Sequence, residues 1–114
     1  MAGCWIALTT LSSREQGERL AEALVAEHLA ACVNVLGPVA SIYRWEGRVA
    51  RDEEVLLLIK TTEAGVAPLK TRVLELHPYD TPEFLAFEVG AGAPGYLAWV
   101  VASVASAGPD EAEP

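Results

Sequence analysis

A twelve-residue segment, LHPYDTPEFLAF, gathers side chains able to do chemistry at the junction of a predicted helix and a predicted strand. His77, Tyr79 and Asp80 would supply a base, a hydroxyl and an orienting carboxylate, or ligands for a metal ion. The same segment also fits a rigid corner, because Pro78 and Pro82 restrict the backbone and His77 can interact with the helix C-terminus. The segment alone leaves catalysis, metal binding and architecture open.

Other candidate residues lie elsewhere in the chain. Cys32 precedes an apolar strand and, on residue type alone, is by default a small buried side chain. Lys60 ends the run VLLLIK and is either a snorkelling residue at the sheet edge or a cation that binds an anion. Trp45 and Glu46 flank a predicted turn, where an exposed tryptophan typically contacts a partner or ligand.

The sequence contains none of the common catalytic signatures. It has no H-E-x-x-H, P-loop, G-x-G-x-x-G or G-x-S-x-G motif and no paired-cysteine zinc motif. A hydrolase based on His77 and Asp80 would lack a nucleophile in a recognised setting. We therefore expect a protein that is not an enzyme.

Length and charge restrict the remaining classes. The 114 residues, with a net charge of -8, predict a single domain over residues 1–107 and an acidic, disordered tail over 108–114. The eight Lys and Arg residues are scattered, which argues against a nucleic-acid partner. No apolar stretch reaches the roughly 20 residues of a membrane span, and no signal peptide is recognisable. We expect a cytoplasmic protein whose Cys4 and Cys32 are reduced.

The first half of the chain reads as a strand, a helix and a long hairpin. WIALTTL is a strand, and Ser12 or Ser13 can cap the helix that follows. The apolar stripe of this helix is predicted to extend through Val25, His28 and Leu29. The next strand, CVNVLGPVASIYRW, must bend or bulge at its Gly-Pro pair before a turn leads into the returning strand.

The second half adds a helix that fits Val66, Leu69, Val73 and Leu76, with Pro68 in its first turn. A strand over residues 82–89 (PEFLAFEV) and a last helix over residues 94–105 follow. The order β-α-β-β-α-β plus a helix predicts an α+β, ferredoxin-like subunit with an antiparallel sheet. One strand segment, VLLLI at 55–59, is apolar on both sides. Because the face without helices should otherwise be polar, we expect another subunit to cover it.

Three segments, LAACVNVLGPVASIYRWEG, EEVLLLIKTT and LHPYDTPEFLAF, together resemble the CutA family of divalent cation tolerance proteins. This resemblance covers about residues 5–99. It implies a ferredoxin-like subunit assembled as a homotrimer, similar in architecture to PII signalling proteins. It also implies a role in copper or divalent-metal tolerance, with no assigned enzymatic activity.

The resemblance also implies site residues. Cys32 and His77 match positions discussed as metal ligands, and the matched HPYD segment forms one wall of an intersubunit cleft. The predicted cleft residues are Trp45, Glu46, Lys60, Tyr79 and Asp80. Some relatives carry further cysteines where this chain has Thr9 and Arg72, which weakens the case for tight copper(I) binding, because copper(I) prefers thiolates.

Two functions follow from these observations. One is a homotrimeric copper or divalent-metal tolerance protein without a tightly bound cofactor. The alternative is a PII-like sensor or scaffold that binds a small anionic ligand at the subunit cleft, through Lys60, Tyr79 and His77. A metal ion or an anion in the cleft would separate the two.

Overall fold

A computed structural model of the protein describes residues 3–105. The elements follow the predicted order: β1 (Cys4–Leu11), α1 (Arg14–Ala26), β2 (Cys32–Trp45), β3 (Arg48–Thr62), α2 (Val66–Leu76), β4 (Leu85–Glu88) and α3 (Pro94–Ala105). The predicted tail over 108–114 lies outside the described residues. Within residues 3–105, no helix is long and apolar enough to cross a membrane.

The four strands form an antiparallel sheet in the order β2-β3-β1-β4. This confirms the predicted α+β architecture. Helices α1 and α2 pack on one face, which we call the helix side, and we call the opposite face of the sheet the open face. The helix-side core is built from buried aliphatic residues of both layers, among them Ala7, Leu11, Leu20, Leu24, Val55, Leu57, Ile59, Leu69 and Val73.

Helix α1 begins as predicted and ends earlier than predicted. Ser13 is its N-cap, since the Ser13 side chain accepts a hydrogen bond from the Gln16 amide. The helix ends at Ala26, so the prediction that its stripe continues through His28 and Leu29 was wrong. His28 takes a left-handed backbone with φ of 62°, which stops the helix, and the next two amides donate to the Leu24 carbonyl.

The long hairpin of β2 and β3 carries the predicted irregularity. Its register shifts between Leu36, which pairs with Leu56, and Val39, which pairs with Glu54. Residues directly opposite in an antiparallel pair share a face, and faces alternate along a strand. The bulge therefore moves the open-face positions of β2 from even-numbered residues before it to odd-numbered residues after it.

Strand β4 is shorter than predicted. The strand expected over residues 82–89 spans only Leu85–Glu88, where it pairs with β1 from Trp5 to Leu8. Pro82 has no N–H to donate, and Phe84 packs against the core ahead of the ladder.

The open face is covered at one end only. Helix α3 packs there, with Val100 buried against Cys4 and Ala31. Beyond α3 the face carries aliphatic and aromatic side chains that are exposed or half-buried, namely Ile6, Leu8, Leu36, Leu56, Leu58, Leu85 and Phe87.

Candidate functional site

The predicted site residues lie at opposite ends of the open face. Cys32 and Lys60 are paired in register near α3, whereas Tyr79 contacts Glu54, six residues away from Lys60 along β3. Six residues of extended strand span roughly 20 Å. Lys60 therefore does not meet Tyr79 and His77 within one subunit, and their convergence in a cleft between subunits stays a prediction.

A cavity of about 610 Å³ lies at the end far from α3, between the hairpin and the α2–β4 loop. It contains three of the five predicted cleft residues. We call it the acidic–aromatic cleft, and its lining residues are Thr10, Ser12, Tyr43, Trp45, Asp52, Glu53, Glu54, Tyr79, Asp80, Thr81 and Glu83. Five of these are carboxylates, and none is a lysine or arginine.

Two tyrosines hold carboxylates in the cleft. Tyr79 donates its hydroxyl to Glu54 Oε2 at 2.7 Å, and Tyr43 donates to Asp52. Burial raises the pKa of Tyr79 well above its usual range, and the hydrogen bond to the Glu54 carboxylate adds to the shift. The hydrogen bond to Asp52 likewise raises the pKa of Tyr43. Both phenols remain hydrogen-bond donors at neutral pH.

His77 is built into the corner behind the cleft. Its ring is buried and lies edge-on to the Tyr79 ring, with centroids 4.6 Å apart. Nδ1 accepts from the Tyr79 amide at 3.2 Å, so Nε2 carries the proton and donates to the Thr10 carbonyl at 2.7 Å. Both ring nitrogens are thus engaged, and a metal ion would have to displace one of these bonds.

The other end of the open face holds a thiol and an ammonium group. Lys60 Nζ lies 3.8 Å from Cys32 Sγ and also donates to Asn34 Oδ1. Burial and the neighbouring Cys32 raise the pKa of Tyr96 on α3, and burial raises the pKa of the Cys4 thiol. This end is chemically distinct from the acidic–aromatic cleft.

The two predicted metal ligands are apart within one subunit. Cys32 pairs with Lys60, and Lys60 pairs with Ile6 of β1, so these three residues lie at the same level of the sheet. His77 contacts Thr10, which is four residues beyond Ile6 along β1. That offset is roughly 13 Å. Within residues 3–105, no group of three or more His, Cys, Asp or Glu side chains is placed to hold a metal ion. Metal ligation by Cys32 and His77 stays a prediction.

The hairpin tip carries Trp45 and Glu46, two of the predicted cleft residues. Glu46 and Gly47 form the predicted turn, with φ of 49° and 77°. Trp45 is exposed and lines the cleft, whereas Glu46 sits on the turn beside it.

Sequence reasoning missed several residues of the cleft, chiefly Tyr43, Asp52, Glu53, Glu54 and Glu83. The run DEE and a tyrosine on the facing strand were the available signals. These signals could be interpreted only if the position of the bulge and the strand register were known. The bulge decides which residues of β2 share a face with Asp52 and Glu54.

Comparison with known proteins identifies the family. Residues 5–103 match the family described as CutA1 divalent ion tolerance protein. The chain is 47% identical over 95 residues to the divalent-cation tolerance protein CutA of Thermus thermophilus, covering 83% of this chain and 92% of that protein. A chloroplastic Arabidopsis thaliana CutA is 42% identical over 83% of this chain, a match that spans only 52% of the plant protein.

Solved structures agree with the sequence matches. The crystal structure of CutA from Xylella fastidiosa superposes with a TM-score of 0.87 at 37% identity, covering 90% of this chain and 98% of that chain. The Thermus thermophilus CutA1 structure gives a TM-score of 0.82 at 46% identity, covering 85% and 94%. The Thermus thermophilus protein and structure are named for tolerance of divalent cations, and none of these names describes a catalytic activity. The chain belongs to the CutA1 divalent ion tolerance family.

Proposed function

We propose that this protein acts in divalent-cation tolerance as a homotrimer without catalytic activity, and that its acidic–aromatic cleft holds the cations. The observation that carries the proposal is the lining of the cleft, which combines five carboxylates with no basic residue. Carboxylate oxygens suit hard divalent ions such as Mn²⁺ and Mg²⁺. Since no three ligands converge within the described residues, we expect the ion to keep several water molecules and to bind weakly, with Kd on the order of 10⁻⁴–10⁻³ M.

The open face supports the homotrimer. Leu58, on the central strand β3, is only half-buried in the single subunit, and Leu85 and Phe87, on the edge strand β4, are exposed, so apolar side chains on this face are left uncovered. Association through this face would remove apolar surface from water at about 25 cal/mol per Å². Light scattering on dilute protein should give about three times 12.1 kDa.

Titration with Mn²⁺ tests the cation proposal. The matched variants are Asp52→Asn/Glu53→Gln/Glu54→Gln in the cleft and Glu15→Gln/Glu18→Gln/Glu22→Gln on α1, which remove the same number of charges. We expect the cleft variant to lose most of the Mn²⁺ binding, because Coulomb attraction falls with the local charge, and the α1 variant to keep it. Equal binding by the two variants would contradict the proposal.

Copper binding is a separate part of the proposal. Copper(I) prefers thiolates, and Cys32 is the half-exposed thiol of the described residues. One thiol per subunit makes a weak ligand set, so we propose that the Cys32 side chains of a trimer act together. Competition with a copper(I) chelator should then show a loss of affinity for Cys32→Ser and little change for His77→Ala. If Cys32→Ser binds copper(I) as tightly as the unmodified protein, this site is excluded.

The PII-like alternative is less favoured at this cleft. A small anion would face five carboxylates and no lysine or arginine among the lining residues. Lys60, the cation expected to attract it, lies beside Cys32 at the other end of the open face. We also keep the cytoplasmic localisation expected from the sequence as part of the proposal.

A further inference from the structure

The two lysines of the chain lie in different settings. Lys70 is exposed on α2, whereas Lys60 is half-buried on the open face near α3. Lys60 Nζ lies 3.8 Å from Cys32 Sγ and donates to Asn34 Oδ1. Lys60 and Cys32 are directly opposite in the β2–β3 register, where Cβ atoms are roughly 5 Å apart. The lysine side chain therefore folds back onto the thiol of its cross-strand partner instead of extending into water.

The two thiols of the chain differ in their access to solvent. Cys4 is 8% exposed and packs with Ala31 and Val100 in the core beneath α3, whereas Cys32 is half-buried. A small oxidant such as hydrogen peroxide reaches the thiols that water reaches, and it converts a thiol to a sulfenic acid. Oxidation of this protein should therefore begin at Cys32.

A sulfenic acid on Cys32 has no second thiol within reach in its own subunit. Cys32 pairs with Lys60 on one side of β3, and Cys4 pairs with Thr62 on the other side. Two strand spacings separate β2 from β1, which is roughly 10 Å. A disulfide requires Cα atoms within about 7 Å of each other. The nucleophile already in contact with the Cys32 sulfur is instead the Lys60 amine.

We propose that Cys32 and Lys60 form a modification site, at which mild oxidation joins the two side chains through a sulfur–nitrogen bond. In the first step hydrogen peroxide oxidises the thiol, its O–O bond breaks, and the products are the Cys32 sulfenic acid and one water. In the second step the amine releases a proton to solvent and attacks the sulfur with its lone pair. The S–O bond breaks, and the hydroxyl leaves as water with one amine hydrogen. The product is a sulfenamide, the class of link that sulfenic acids also form with backbone nitrogen.

The link changes the chemistry of this end of the open face. It removes a thiol and a positive charge together, and it joins β2 to β3 at two residues that are already paired. A small thiol reverses the reaction, because it attacks the sulfur, releases the Lys60 amine and leaves a disulfide that a second thiol reduces. Every step occurs inside one subunit, so the reaction depends neither on the proposed homotrimer nor on a bound cation.

Mass spectrometry after treatment with one equivalent of hydrogen peroxide tests the site. The experiment uses Cys4→Ala as its background, because a disulfide between the two cysteines would have the same mass as the sulfenamide. We expect a product that is lighter than the reduced protein by two hydrogen atoms, and dithiothreitol should restore the original mass. Tryptic digestion of the product should give residues 20–44 joined to residues 52–70, since trypsin does not cleave after a substituted Lys60.

Lysine-to-arginine changes in the same background supply matched variants. Lys60→Arg keeps the positive charge and a donor for Asn34, but a guanidinium is not deprotonated and does not attack the sulfur. It should lower the yield of the lighter product by about tenfold or more, because the proximity of the amine drives the reaction. The sulfenic acid should then persist and be trapped by dimedone. Lys70→Arg should react as the Cys4→Ala background does.

Oxidation in urea tests the geometry without changing Lys60. Unfolded protein should form little of the link, since Cys32 and Lys60 are no longer held opposite each other. Circular dichroism checks that each variant is folded before it is oxidised. An equal yield from Lys60→Arg or from unfolded protein would overturn the proposal. A link to Lys70, or disulfides between the Cys32 side chains of two subunits in place of the link, would also overturn it.

Discussion

The two faces of β3 differ although their side chains are nearly the same. Leu57 and Ile59 point to the helix side and are fully buried by α1, α2 and their own sheet. Leu56 and Leu58 are the alternate residues, equally apolar, and are only half-buried. A strand that is apolar on both sides therefore indicates that both of its faces become buried. Within one subunit, only the helix-side face is buried. The second is the subunit contact that we propose.

The largest expected effect on stability comes from a substitution on the helix side of β3. Leu57→Asp places a charge at a side chain that is 0% exposed, with no partner to compensate it. We expect the free energy of unfolding to fall by about 4 kcal/mol or more, enough to prevent stable folding of a small domain. Urea unfolding followed by circular dichroism measures it, and a protein with an unchanged midpoint would contradict the assignment of this face.

The matched change on the other face should separate folding from assembly. Leu58→Asp points to the half-buried open face, where water can reach the carboxylate in the single subunit. We expect a folded protein with native circular dichroism that sediments as a monomer, because the charge would be buried only in the assembly. A Leu58→Asp protein that still forms trimers would show that the open face is not the subunit contact.

The corner at His77 should contribute less to the free energy of unfolding than a core side chain does, and more than an exposed side chain does. His77→Ala removes two hydrogen bonds and leaves the Thr10 carbonyl without its donor. We expect a loss of about 1–3 kcal/mol in the free energy of unfolding and no change in Mn²⁺ binding. His77→Gln is the control, since its amide can donate to Thr10 and should recover part of the loss. Loss of metal affinity at unchanged stability would instead identify His77 as a ligand.

Much of the fold was accessible from sequence, because its signals are local. The Ser13 cap, the bulge at Gly37 and Pro38, and the turn at Glu46 and Gly47 each follow from backbone preferences of nearby residues. The end of α1 was missed because apolar periodicity continues to His28, where a left-handed residue stops the helix.

The site was less accessible, because its geometry depends on register. Lys60 ends a predicted strand and Tyr79 follows the end of a predicted helix, and nothing local shows that one lies beside Cys32 and the other beside Glu54. The bulge reverses the alternation of β2, which puts Tyr43 on the same face of the hairpin as Asp52 and Glu54, within reach of Asp52. The position of each residue along the sheet depends on the register of the whole hairpin. Only the folded sheet therefore shows that Lys60 and Tyr79 lie at opposite ends of the open face.

The smallest effect concerns the hydrogen bond from Tyr79 to Glu54. Tyr79→Phe keeps the ring against His77 and removes the hydroxyl, so we expect a loss of about 0.5–1.5 kcal/mol in the free energy of unfolding near neutral pH.

This contribution should depend on pH in a defined direction. Burial and Glu54 raise the pKa of Tyr79 in the folded protein above its ordinary value of 10.0. The unfolded chain therefore loses the proton first, and the stabilisation is complete below pH 10.0 and declines as pH rises through the higher folded value. The difference in unfolding free energy between the unmodified protein and Tyr79→Phe should stay level from about pH 8 to about pH 9.5 and be smaller at about pH 11. A difference that grows over this interval would mean that the folded protein favours the phenolate, and that Glu54 does not accept this hydrogen bond.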